Sequence, residues 1–384
     1  MSGPQPLAGI RVVAFEQAVA GPMASRHLAD MGADVIKIER REGGDFARSY
    51  DHLVRGQSSH FIWLNRSKGS MALDLKDPAD LEVARDLALH ADVVIQNLAP
   101  GACERLGLDA DTLRAQAPGL IHCSISGYGP GGPYEAMKAY DLLVQCEAGV
   151  LSITGTEEQP CKTGIPVADI AAGMYAFSGI LAALVRRGST GEGATIEISM
   201  LECLAEWMGF PMYYTKYGQH QPPRSGASHA AIAPYGPVPC SDGTVFLSVQ
   251  NGREWVSLCQ FALDWPVLAT DPRFDSNSAR IANRPQLTEL IETITRQLTT
   301  SELVERLTTA GIACGRLRSV DELIEHEQLR ARQRWRVIDT PAGPVDALLP
   351  AINMNGWEPV MGAVPALGQS ATTSTPAPTS TRSS

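Results

Sequence analysis

Hydrophobic and polar positions over the first 200 residues follow two rhythms that take turns. Short apolar runs, most of them rich in Val and Ile, namely Ile10-Arg-Val-Val-Ala-Phe15, Ala33-Asp-Val-Ile-Lys-Ile-Glu39, Ser70-Met-Ala-Leu-Asp-Leu75, Ala91-Asp-Val-Val-Ile95, Leu120-Ile-His-Cys-Ser-Ile125 and Ala194-Thr-Ile-Glu-Ile198, read as strands. Between them the spacing predicts helices over 21–28, 78–90, 108–117, 141–149 and 170–187, with another from about Met200. Strands alternating with helices predict an α/β fold with a parallel, doubly wound sheet.

The rhythm breaks at Gln219-His-Gln-Pro-Pro-Arg-Ser-Gly-Ala-Ser228, where Pro, Gly and Ser accumulate as in a linker. A hairpin follows: Tyr235-Gly-Pro-Val-Pro239 and Thr244-Val-Phe-Leu-Ser-Val249 are joined through the turn sequence Ser241-Asp-Gly243. Helical segments over 253–261, 284–298 and 300–310 complete a smaller α+β domain. A charged helical connector over 321–334 and short strands to about 355 come next. The expected division is a large domain over 1–225, a small domain over 226–325, and a connector returning to the large domain over 326–370. The tail 371–384, rich in Thr, Ser and Pro, is expected to be disordered and is assigned no function.

With 384 residues, 44% hydrophobic and 19% charged, the chain has material for two cores. Its net charge is −10 and its Lys and Arg residues are dispersed, which argues against nucleic acid. A polyanionic ligand must then be held by locally placed cations. No uninterrupted apolar run reaches the roughly 18 residues of a membrane span, and Met1-Ser-Gly-Pro-Gln-Pro6 is unlike a signal peptide. No membrane association is expected, and the reading is a soluble protein of the cytoplasm or another reducing intracellular compartment. Eight cysteines without a CxxC pair, mostly in apolar segments, indicate neither a disulfide framework nor a zinc site. Eight histidines lie far apart without ligand spacing, so metal-free chemistry is expected.

Gly127-Tyr-Gly-Pro-Gly-Gly132 fits the dinucleotide pattern G-x-G-x-x-G, yet Pro130 and Pro133 stand where a phosphate-binding helix should begin. A flexible loop over a pocket is the better reading, with a nicotinamide enzyme as an alternative. There is no G-x-S-x-G elbow, H-E-x-x-H pair or Walker loop. What remains is a carboxylate. Asp169 stands at the mouth of an apolar helical stretch that carries no further charge until Arg186. It suits a helix N-cap, and a desolvated Asp can also attack an activated acyl group.

The segments Ala20-Gly-Pro22, Gly32-Ala-Asp-Val-Ile-Lys-Ile-Glu-Arg40, Gly44-Asp45, Asn65-Arg-Ser-Lys68, Leu73-Asp-Leu-Lys76, Gln96-Asn97, Gly127-Tyr-Gly129, Lys138-Ala-Tyr-Asp141 and Asp169 occur in this order. Together they resemble the motifs of the class III CoA-transferases, the family of formyl-CoA transferase and the carnitine CoA-transferases, over nearly the whole chain. The resemblance implies a Rossmann-like large domain, a small α+β domain, and a homodimer of interlocked, ring-shaped chains. It implies CoA thioesters as substrates, with no permanently bound cofactor. In that family the aspartate matching Asp169 attacks an acyl-CoA to give a mixed anhydride, becomes an aspartyl-CoA thioester, and passes CoA to an acceptor carboxylate. An N-cap position would hold that side chain and lower its pKa. By motif, Arg40, Lys76, Arg105 and Lys138 are implied on the phosphate and adenine side. Val19, Ala20, Leu73, Asn97, Leu98 and Tyr140 are implied along the CoA channel.

The resemblance extends to α-methylacyl-CoA racemases, which share the fold but place a His in a Gly-His-Asp motif where this chain reads Ala139-Tyr140-Asp141. A single Asp cannot easily run two-sided proton transfer, so transferase is favoured over racemase or epimerase. A catalytically silent CoA-binding protein is a further alternative. Oxalate-using members carry a Gln and a Trp where this chain has Val19 and Tyr50, and close the site with a glycine tetrad missing here. The segment Arg224-Ser-Gly-Ala-Ser-His229-Ala-Ala-Ile-Ala-Pro-Tyr235-Gly236 resembles members acting on C4 and C5 dicarboxylates such as itaconate, mesaconate, citramalate or malate, with succinyl-CoA as donor. Arg48, Arg224 or His229 could supply the cation a second carboxylate needs, with Tyr50 beside the acceptor. The family's final helix is replaced here by the Thr- and Ser-rich tail.

Overall fold

Six runs, all but the third carrying β-branched residues, form strands β1 (Arg11–Phe15), β2 (Asp34–Glu39), β3 (Gly69–Ala72), β4 (Val93–Gln96), β5 (Ile121–Ser126) and β6 (Ala194–Ser199). They pair in parallel in the order β3-β2-β1-β4-β5-β6, with Val12 of β1 facing Val35 on one side and Val93 on the other. This is the strand order of dinucleotide-binding doubly wound sheets, and the direction of winding reverses between β1 and β4. A crevice therefore opens outside the carboxyl ends of those two strands. The computed structural model describes residues 3–369, so the tail expected over 371–384 lies outside the described residues.

Compactness divides the chain into two units. Among the described residues the first comprises 3–148, 163–208 and 331–369; the second comprises Gly149–Lys162 and Gly209–Arg330. One face of the parallel sheet in the first unit is covered by a core containing Phe15, Leu108, Leu113 and Leu120. The helix Val167–Thr190 is longer than its pattern suggests, and by length and composition it could cross a membrane. Asp169 interrupts its apolar run, which is why a search for unbroken runs passes over it. Here it packs on the helix Ala20–Asp30, burying Ala168, Ala171, Ala172, Ala176 and Phe177. Gly173 sits at the crossing: a Cβ there would lie 2.6 Å from Met23 Cβ and 2.7 Å from the Ala20 carbonyl oxygen.

Strands β10 (Trp335–Ile338) and β11 (Val345–Leu348) form an antiparallel pair, and Ile338 and Val364 pack with Phe61 and Ile62. Gly3 N–H donates to the Gly356 carbonyl and the Trp357 indole to Gln5, which ties the end of the described chain to its beginning. Two short helices, Ser59–Leu64 and Ala102–Leu106, had no signal in the sequence. The expected helix over 108–117 shortens to Ala110–Arg114, started by Asp109, whose side chain accepts from Thr112 N–H. The connector is two short helices, Val320–Ile324 and Glu327–Ala331.

In the second unit β7 (Tyr235–Pro239), β8 (Thr244–Ser248) and β9 (Ala313–Arg316) form an antiparallel sheet, including the expected hairpin. Its core holds Trp255, Leu258, Phe274, Leu303 and Leu307. This unit takes up residues from 209 onward, whereas the sequence pattern drew the line at 225. Residues 219–228 pack within it: Arg224 donates to the carbonyls of Thr156 and Glu157, and Gly226 N–H to that of Gly155.

Candidate active site

The crevice is shaped by the turn that follows β1. Asn97, just beyond β4, clamps Gln17 on both sides, accepting from its N–H at 2.8 Å and donating to its carbonyl at 2.9 Å. Ala18 is held in the left-handed region at φ 60°, and its N–H donates to Asp45 Oδ1 at 3.1 Å. Gly21 admits this close approach, since a Cβ there would stand 2.8 Å from Glu16 Cβ. Val19 and Ala20, both implied at the CoA channel, are buried where the Ala20–Asp30 helix begins. No side chain caps that helix start.

A cavity of about 490 Å³ opens at the carboxyl ends of β1, β2 and β3. Arg40, Leu73, Lys76 and Leu98, all named by motif, line it together with Gln17 and Arg41. Arg41 is paired with Asp80 at 2.6 Å, while Arg40 and Lys76 have no acidic partner among the described residues. Arg40 donates only to the Gly44 carbonyl at 3.1 Å. Two side chains with open donors suit a phosphorylated ligand, and Phe15, Ile38, Leu73 and Leu98 add apolar surface beside them. Arg105 and Lys138 are exposed, have no acidic partner among the described residues, and lie outside the cavity lining, as does Tyr140.

Beneath the cavity runs an ionic network that the sequence did not reveal. Lys37 on β2 is fully buried, 2.9 Å from Asp45 and 3.5 Å from Glu16, and Lys68 reaches Glu16 at 2.8 Å. Burial raises the Glu16 carboxyl, but Lys68 and Lys37 outweigh it and hold the group below the usual range. Burial would likewise raise Glu39, yet the hydrogen bonds of Arg48 and the charge of Lys37 keep it at about 2. Three carboxylates and three cations thus fix the ends of β1, β2 and β3. Lys37, Glu39, Asp45 and Lys68 each stand in a quoted motif, but nothing local identified them as one another's partners.

Asp169 is the third residue of the Val167–Thr190 helix, and this corrects its reading as the N-cap. The cap position is Pro166, and the first turn is held from another helix: Asp141 Oδ1 accepts from Ala168 N–H at 2.8 Å and Asp169 N–H at 3.3 Å. Asp141 opens the helix Asp141–Glu147, and its Oδ2 accepts from Gln145 at 2.6 Å. The expected lowering of the Asp169 pKa is overturned as well. Burial, with the neighbouring Asp141 adding to it, pushes the Asp169 carboxyl up to about 7. Its neighbour Ile170 packs with Ala18, Val19, Met23 and Leu64, so Asp169 stands beside the turn that edges the cavity.

Tyr50 lies near it. Burial, then the charges of Asp45 and Asp169, push the Tyr50 phenol up to about 12. Tyr140, at the start of the Asp141–Glu147 helix, is 64% exposed and supplies no imidazole next to Asp169. Of the three cations considered for a second carboxylate, Arg48 forms two 2.8 Å hydrogen bonds to Glu39 and stacks on Phe61. Arg224 and His229 belong to the second unit; the former binds backbone carbonyls and the latter stacks on Tyr235 at 5.2 Å. Residues 127–140 contain no helix, so the glycines there are followed by no helix N-terminus that could bind a pyrophosphate.

Residues 7–371 match the model of CoA-transferase family III. The chain belongs to that family. As a class III CoA-transferase it is 37% identical over 335 residues to the succinate–glutarate CoA-transferase of Agrobacterium fabrum, covering 85% of this chain and 84% of that protein. It is 31% identical over 364 residues to the succinyl-CoA–D-citramalate CoA-transferase of Chloroflexus aurantiacus, covering 94% and 89%. Among solved structures, a CAIB/BAIF family protein from Brucella suis superimposes with a TM-score of 0.83 at 33% identity, covering 95% of this chain and 97% of that one. The enzyme is thus a CoA-transferase whose substrates are CoA thioesters and carboxylic acids.

Proposed function

We propose that this enzyme moves CoA from succinyl-CoA to a C4 or C5 dicarboxylate through a covalent intermediate on Asp169. The observation that carries the reading is the state of that carboxyl: it is relieved of capping by Asp141 and pushed up to about 7. A carboxylate that holds its proton this readily is a stronger nucleophile than a solvated one, and at neutral pH a large fraction is still ionised. Its oxygen attacks the thioester carbonyl and expels the CoA thiolate, leaving a mixed anhydride of Asp169 and succinate. The thiolate returns to the aspartyl carbonyl, forming an aspartyl-CoA thioester and releasing succinate. The acceptor carboxylate then displaces the thiolate to form a second anhydride. Thiolate attack on the acceptor's carbonyl releases the new acyl-CoA and restores Asp169. Arg40 and Lys76 hold the phosphates through these exchanges, so the thiolate stays in place.

Glutarate and citramalate, named for the two relatives, join itaconate, mesaconate and malate as acceptors to try. The decisive experiment mixes the protein with succinyl-CoA and each acid in turn, with oxalate as a contrast, and traps the intermediate with hydroxylamine. The expected product is a hydroxamate on the Asp169 peptide, absent from Asp169→Asn. Full transfer by that variant, or exchange of Cα hydrogen for deuterium without an acceptor, defeats the reading. We also propose a homodimer, supported by the exposed aromatic residues Phe210, Tyr213 and Tyr217 of the helix Gly209–Gly218, and a reducing cytoplasmic setting, supported by eight free cysteines.

A further inference from the structure

In the second unit Arg224 donates to two backbone carbonyls and His229 Nδ1 accepts from Ala231 N–H, and Arg48 is clamped to Glu39. A further candidate in the unit that holds Asp169 is one that no sequence motif pointed to. His60 lies on the short helix Ser59–Leu64, and its ring meets Tyr50 edge-on at 5.3 Å. Four residues on, and hence on the same helical face, Leu64 packs in the cluster that contains Ile170, the residue after Asp169. One face of this helix thus runs from Tyr50 toward the Asp169 turn.

The ring is oriented. His60 Nδ1 is buried without a hydrogen-bond partner and points at Asp51, 3.9 Å away, while the side chain as a whole is 41% exposed. The open part of the imidazole is therefore its Nε2 side. Asp51 is itself fixed, accepting from Leu53 N–H, Ser59 N–H and Ser59 Oγ. The result is a carboxylate–imidazole–phenol row, Asp51, His60 and Tyr50, in which the Nε2 side of the imidazole and the half-exposed Tyr50 ring are open to solvent. Such a pair suits a carboxylate ligand: the Tyr50 hydroxyl donates to it, and the imidazole, with the Asp51 carboxylate on its Nδ1 side, donates from Nε2 in its imidazolium form.

We propose that His60, together with the Tyr50 hydroxyl, holds the second carboxylate of the acceptor acid while its first carboxylate meets Asp169. The inference rests on the dicarboxylate reading above and assigns the specificity of that site to a residue outside the family motifs quoted for this chain. It gives the dimension along which the enzyme measures its acids: from Asp169, past Tyr50, to His60.

The test compares the wild type with His60→Gln and Tyr50→Phe, using whichever dicarboxylate the wild type turns over best. Loss of a charge-assisted hydrogen bond is expected to raise the KM for that acid about 30-fold in His60→Gln, with a smaller rise in Tyr50→Phe. The kcat should change little, and the Kd for free CoA, read by calorimetry, should be unchanged. That last measurement also shows that the variant is folded. An unchanged acceptor KM in His60→Gln overturns the proposal, and so does a rise matched by weaker CoA binding, which would mark a structural role. If the wild type transfers to no dicarboxylate at all, the preceding functional reading fails on its own, before any variant is made.

Discussion

Replacing Asp169 with Asn should make the protein more stable, and only above weakly acidic pH. A carboxyl at about 7 in the folded state, against an ordinary value of 3.8, keeps its proton where the unfolded chain has already released it. Stability is therefore undiminished below about pH 4, falls as pH rises from there to about 7, and is level above that. The full difference corresponds to a ceiling of about 4 kcal/mol, at about 1.4 kcal/mol for each pH unit. Asp169 is only half-buried, and solvent screening reduces the expected effect to about 2 kcal/mol. The neutral isostere removes the term. In a chain of this length the melting midpoint of Asp169→Asn should exceed that of the wild type by about 2 °C at pH 8 and by under about 1 °C at pH 5. Differential scanning calorimetry at both pH values, alongside a null activity assay, is the measurement. A stability difference that is flat with pH, or an Asn variant less stable at pH 8, refutes the raised pKa and the argument built on it.

In the wild type, kcat/KM should rise with pH through about 7 as Asp169 ionises. Asp141→Asn keeps an oxygen to cap the helix but removes the like charge, so the midpoint of that profile should move below 7, with burial still holding it above 3.8; an unmoved midpoint counts against electrostatic coupling of the pair. Arg40→Ala and Lys76→Ala should each raise the KM for the acyl-CoA about tenfold with kcat nearly constant, as steady-state kinetics would show, and a loss in kcat alone would place them elsewhere. Gly173→Ala forces a Cβ into the 2.6 Å gap beside Met23 and should cost about 2 kcal/mol in urea unfolding; a neutral result means the two helices separate freely.

Most of the sheet was legible because strands such as β1 and β4 are buried on both faces, and Val and Ile cluster there in runs whose pattern needs no knowledge of partners. All six runs became strands, while their order in the sheet came from the structure alone. The position of Asp169 was legible too, as a lone charge at a helix mouth, but its role at that mouth was not. Whether an acid caps a helix depends on which acid the fold brings there, and Asp141, 28 residues away, arrived first. The same reason hides the ionic floor. Lys37 looks like an outward-facing residue of a strand until Asp45 and Glu16 are placed beside it. The helix Ser59–Leu64 spans fewer than two turns, too short for periodicity to mark it. Residues 219–228 were read as a linker from composition, yet Arg224 ties them to 155–157 by hydrogen bonds to carbonyls, and those leave no trace in composition.

Two neighbouring acids with different surroundings divide the work at the head of one helix. Had Asp169 capped the helix itself, its oxygens would be occupied by backbone N–H groups and its pKa held low, both of which weaken a nucleophile. Asp141 takes that position, satisfies the first-turn donors, and adds a like charge that keeps its neighbour's carboxyl raised. One carboxylate engaged with backbone donors beside another raised by burial is how one site obtains an inert acid and a reactive one. The rigidity this demands comes from below, where Asp45 ties the left-handed Ala18 to buried Lys37 and Asn97 clamps Gln17. A reactive group that costs stability can be kept only where the surrounding structure is over-determined, and the ion pairs under the cavity provide that determination.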